Sequence, residues 1–168
     1  MEIEMRRKKQ ALPKPECDAV LSRCTSGVLA LAGADGKPYA VPLSYVYANG
    51  KLYFHCAASG RKLEILRQNP QASFCVVDSD EIVPEQFTTR YRSVIVSGSL
   101  RELTEEGEKR ASIERLTRKY SPDVPQKSVD DEINAFWSGL CMLELTPDWV
   151  TGKESRELAR ERRAKEEA

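Results

Sequence analysis

The chain is poor in the groups that usually announce a function. It has one histidine, His55, among 168 residues, which cannot anchor a zinc site unless cysteines or carboxylates supply the rest. Its five cysteines, Cys17, Cys24, Cys56, Cys75 and Cys141, are odd in number, scattered and without a CxxC pair. That argues against a disulfide framework and a thiolate metal site, so no metal is expected. No GxGxxG exists, which removes the dinucleotide-binding signature. Net charge is absent too: 26 basic residues balance 26 acidic ones, giving no global pull toward nucleic acid or an anionic membrane. No apolar run is long enough to cross a bilayer. The start, Met1 to Lys9, is basic without a following apolar stretch, so a cytoplasmic protein is expected. Neither an internal repeat nor a low-complexity linker appears.

What is present is short strands punctuated by turn residues. Residues 1–13 are polar and read as an arm. Pro15 can open a helix, and Cys17, Val20, Leu21 and Cys24 repeat at helical spacing. Strands are predicted over 27–34, 38–47, 51–56, 71–78, 91–103 and 140–145. Asp35-Gly36 and Asn49-Gly50 mark the first two hairpins. A helix over 60–68 stops before Asn69-Pro70. Residues 78–89 read as an acidic loop, and Gly98 as a bulge or close approach. Thr104 is expected to cap one later helix and Ser128 another. Residues 154–168 read as a charged helical tail. Six hairpin-linked strands with helices between them give an α+β fold built on a small antiparallel barrel.

The most informative stretch is 52–66. A strand ends at His55-Cys56, a loop of small residues follows, and a helix opens with Arg61-Lys62. Cations at a helix N-terminus oppose the dipole. They make sense beside a phosphate held by the free N–H groups, Arg61 forking onto two oxygens and Lys62 acting as a point charge. Spacing alone leaves a solvated surface pair equally open.

In its order of motifs the chain resembles the FMN-binding split-barrel family related to pyridoxamine 5'-phosphate oxidase. The resemblance rests on the Asn49-Gly50 hairpin, Gly60-Arg61-Lys62 at the helix start and Asn69-Pro70 beyond it, and spans residues 6–153. Within the family it is most similar to the nitroimidazole-resistance (Nim) group, through Met5-Arg6-Arg7-Lys8, Val41-Pro42-Leu43-Ser44-Tyr45, Tyr53-Phe54-His55 and Val150-Thr151-Gly152-Lys153. It implies a six-stranded split β-barrel over 14–153 and an FMN phosphate on Arg61 and Lys62. The flavin ring would lie along Val41, Pro42, Leu43, Ser44 and Tyr45, with His55, Cys56 and Ser93 as further contacts. It also implies a homodimer with a flavin at each subunit boundary. The C-terminal Arg and His signature of authentic pyridoxamine phosphate oxidases is missing, so the vitamin substrate site is not carried over.

Three functions stay open on these residues. One is an FMN-dependent oxidoreductase passing electrons to a small-molecule acceptor such as a nitro compound, with His55 as catalytic proton donor or substrate ligand. A second is a flavin-binding store or sensor without turnover. The third is a split barrel that takes haem or a deazaflavin.

Overall fold

A computed structural model describes residues 5–166. Seven strands, β1 (Ser26–Ala32), β2 (Pro38–Ser44), β3 (Val46–Ala48), β4 (Lys51–Ala57), β5 (Gln71–Val83), β6 (Thr88–Glu102) and β7 (Leu140–Glu154), form one sheet. Its order is β2-β1-β5-β6-β7-β4-β3, with every pairing antiparallel. Five α-helices accompany it: α1 (Lys14–Arg23), α2 (Arg61–Gln68), α3 (Glu106–Tyr120), α4 (Gln126–Phe136) and α5 (Arg156–Glu166). None of them is long and apolar enough to cross a membrane.

The seventh strand corrects the expected six, and Tyr45 is the reason. The stretch read as one strand over 38–47 is two, broken at a single residue. β2 and β3 are the two edges of the sheet yet are consecutive in the chain. One residue spans only a few ångströms, so the sheet must curl until its edges meet at Tyr45. No ladder joins those edges among the described residues, and the barrel stays open along this seam. Tyr45 is completely buried and donates its hydroxyl to Leu21 O at 2.8 Å. Tyr120 Oη accepts from Tyr45 N at 3.0 Å and donates to Tyr45 O at 2.9 Å.

The curled sheet encloses the main core. Leu29, Leu52, Phe54, Phe74, Val94 and Leu143 meet there with Val20 and Leu21 of α1 and Leu63 and Leu66 of α2. A second cluster lies on the outer face, where Ile113 and Leu116 of α3 and Val129 and Ile133 of α4 cover Val46, Tyr53 and Met142. The other outer face, formed by β1, β5 and β6, carries no helix. Val28, Val77 and Ile95 stand exposed on it.

The hairpin signals hold. Asn49 and Gly50 both take positive φ, 53° and 75°, as the tight turn between β3 and β4 needs. Gly98 sits at a register shift against β7, where a Cβ would strike the Thr146 carbonyl. Other expectations are corrected. The acidic loop over 78–89 is instead the tip of a long β5–β6 hairpin, with a 3-10 turn at Pro84–Gln86. β7 runs on through Pro147 to Glu154 because the bulge absorbs the proline. Glu105, not Thr104, caps α3 by accepting from the Gly107 and Glu108 N–H groups. α4 begins at Gln126 after Pro125, ahead of Ser128. Residues 8–12 lie against the sheet end: Gln10 and Leu12 are buried, and Ala11 bridges to Lys153.

Candidate functional site

The open seam is the candidate site. β3 pairs with β4 only over residues 51–53. Continuing that register backwards would set Ser44 opposite His55 and Leu43 opposite Cys56. That ladder is not formed, so the outer edge of β2 and the upper edge of β4 leave backbone donors and acceptors facing each other unpaired. Such edges suit a planar ligand with its own hydrogen-bonding rim.

α2 stands at the end of the seam away from Tyr45. Its N-cap is Gly60, at φ 127°, and no side chain caps the helix. The Leu63 and Glu64 N–H groups bond to Gly60 O, whereas those of Arg61 and Lys62 find no acceptor among the described residues. The Arg61 guanidinium lies 5.4 Å from the centre of the Tyr39 ring on β2. Neither Arg61 nor Lys62 forms an ion pair with a carboxylate among the described residues. Two cations flanking free N–H groups are a donor set for a phosphate.

The expected flavin contacts divide by strand alternation. Val41 and Leu43 turn inward against the core, while Pro42 and Ser44 point out and are exposed. Tyr45 is a core residue, and Tyr120 occupies both of its backbone groups, so it offers nothing to a ligand. Ser93 is half-buried on the helix-free outer face, opposite Val77. Pro42 pairs with Val28, Val28 with Cys75, and Cys75 with Ile95. Ile95 therefore lies about three strand spacings, roughly 14 Å, from Pro42, and Ser93 stands two residues further along β6.

His55 and Cys56 occupy opposite faces of β4. His55 is exposed on the outer face, beside Met142 in the ladder, and has no hydrogen-bond partner among the described residues. Cys56 turns inward, half-buried against the core, opposite Cys141. The neighbouring Cys141 thiol holds Cys56 down, to about 7, against its burial, and the nearby Lys62 ammonium helps. No site role follows from the sequence for Cys141, Tyr39 or Tyr120. Register sets Cys141 opposite Cys56, Tyr39 on β2 meets Arg61, and Tyr120 reaches Tyr45 from the end of α3; no local signal marks them.

The comparisons agree with this architecture. Residues 13–154 match the family model described as pyridoxamine 5'-phosphate oxidase, and the chain belongs to that family. Its fold is similar to that of a candidate 5-nitroimidazole antibiotic resistance protein from Bacteroides thetaiotaomicron. That pair shows a TM-score of 0.72 and 21% identity over 86% of each chain. An FAD-binding protein from Mesorhizobium loti is 27% identical, with a TM-score of 0.60 over 87% of this chain and 97% of that one. An FAD and haem binding protein from Mycobacterium smegmatis gives a TM-score of 0.69 at 20% identity, over 88% and 74% of the two chains. No curated protein matches the chain significantly.

Proposed function

We propose that this protein is a homodimeric FMN-dependent oxidoreductase that passes electrons to a small-molecule acceptor, nitro compounds among them. The observation that carries this reading is the pair of cations, in no ion pair among the described residues, at an uncapped helix start set at one end of an unpaired seam. Arg61 and Lys62 hold the phosphate. The backbone of residues 41–44 borders the ring, and Ser44 and His55 form the two lips of the seam. Bound FMN supplies the electron chemistry, while the protein orients and shields it. His55, exposed and free of internal bonds, is available to hold or donate a proton to an acceptor at the lip. The family membership and the Nim-like motifs support the choice of cofactor and acceptor.

The helix-free face supports the dimer. Val28, Val77 and Ile95 form an apolar band across β1, β5 and β6, and such bands mark interfaces. Light scattering should give twice the chain mass.

The mass of the flavin released on denaturation tests the cofactor, with FMN expected and FAD as the competing result. His55→Ala should keep the flavin and the melting temperature while slowing nitro-acceptor reduction by about 10²–10⁴. A wild type that binds FMN but reduces nothing with a nicotinamide donor would favour a flavin store or sensor.

A further inference from the structure

Cys56 of β4 and Cys141 of β7 stand directly opposite each other. Opposed residues of an antiparallel ladder point to the same face, with Cα atoms about 4.5 or 5.5 Å apart. Both separations fall inside the range that a disulfide bridges. Both side chains pack on the main core. Their surroundings are unlike. Cys56 is half-buried at the open end of β4, with Lys62 nearby. Cys141 is 9% exposed, and its Sγ lies 3.8 Å from Glu102 Oε2. Arg67 in turn holds Glu102 at 2.7 Å and 3.0 Å.

The pair is therefore polarised. The neighbouring Cys141 thiol, aided by Lys62, favours the Cys56 thiolate despite burial. Cys56 in turn, with burial and Glu102, pushes the Cys141 thiol well up. At the other thiols burial prevails. Burial pushes Cys17 up to about 11, and burial is also the leading cause that raises Cys24 and Cys75.

We propose that Cys56 and Cys141 form a reversible dithiol–disulfide couple that exchanges with low-molecular-weight disulfides of the glutathione type. The Cys56 thiolate attacks one sulfur of the small disulfide, the small S–S bond breaks, and one small thiolate leaves. Cys141 gives up its proton, and its sulfur attacks Cys56 Sγ. The cross-strand S–S bond forms as the mixed disulfide breaks and the second small thiol departs. The protein dithiol loses two electrons and two protons, and the small disulfide gains both. Cys56 attacks because it is the more accessible and the more ionised of the two. No flavin takes part, so the couple stands or falls apart from the proposed cofactor.

The test uses the purified full-length chain in glutathione buffers of graded oxidised-to-reduced ratio, quenched with acid, alkylated and mapped by mass. Two of the five thiols should vanish together in one step, with a mass lower by two hydrogens and a peptide linking Cys56 to Cys141. Cys17, Cys24 and Cys75 should remain alkylatable. Cys141→Ser should trap glutathione on Cys56, whereas Cys75→Ser should leave the step unchanged. In the reduced wild type at pH 7, iodoacetamide should modify Cys56 about tenfold faster than Cys75. Wild-type protein that keeps Cys141 free while glutathione stays on Cys56 would overturn the couple, as would both thiols surviving full oxidation. The wild-type map decides the matter even if a variant misfolds.

Discussion

The molecule treats positive charge in two opposite ways. At the end of β7, Glu154 is wholly buried, and two guanidiniums answer it: Arg92 Nη2 at 3.0 Å and Arg162 Nε at 2.9 Å. Its backbone carbonyl accepts from Gln10 Nε2 at 3.1 Å. This one residue ties β6, β7, α5 and the segment before α1 together. At the start of α2, Arg61 and Lys62 form no ion pair with a carboxylate among the described residues. Charge that the fold uses is answered within the chain, and charge left unanswered at a helix start is available to a ligand. Burial decides which treatment is affordable, because an unanswered cation survives only where water reaches it.

The comparison breaks most visibly at Glu154. Glu154→Gln keeps the shape and leaves both guanidiniums beside a neutral amide. Loss of one partner of a buried charge cluster should cost about 3 kcal/mol, read from urea unfolding. Next comes the double change Arg61→Ala with Lys62→Ala. It should weaken FMN binding by at least about 100-fold, since each charged hydrogen bond contributes roughly 1.5–3 kcal/mol. The ligand-free protein should keep its unfolding free energy within about 0.5 kcal/mol. A drop like that of Glu154→Gln would show that the pair is structural after all.

The smallest effect is expected at Glu144, which lies between the two cases. Burial raises its carboxyl, but hydrogen bonds from Arg101 at 2.9 Å and Lys51 at 3.0 Å outweigh that and hold it below its ordinary 4.5. A depressed carboxylate stabilises the fold above its unfolded value, and that stability fades as pH falls through the folded one. Thermal unfolding should therefore lose stability below about pH 4.5, and Glu144→Gln should flatten that acid limb.

Local chemistry was readable before the fold was known. Asn49-Gly50 declares its turn because few other residues accept two positive φ values, and Gly98 declares a close approach for lack of a Cβ. Arg61-Lys62 stands out because it contradicts the helix dipole. What the sequence hides is long-range. The ends of β5 and β6 project past the core, so they show no alternation of apolar and polar residues and resemble a loop. Tyr45 interrupts a run of good strand residues without any breaker. Its role comes from Leu21 and Tyr120, 24 and 75 positions away. Ser93 fits the family spacing, yet its distance from Pro42 depends on how many strands intervene. The opposition of Cys56 and Cys141 follows from pairing strands 85 residues apart.

One short segment owns both margins of the sheet. A strand edge with unpaired backbone is a template for another chain, and proteins usually shield each edge separately. Here residues 38–48 supply both, folded toward each other about Tyr45, with Pro38 and Pro42 removing two donors from β2. The safeguard against aggregation is thus concentrated at one hinge. A change that freed Tyr45 from Leu21 and Tyr120 would bare two templates in a single event, on a molecule whose zero net charge gives it little electrostatic resistance to self-association.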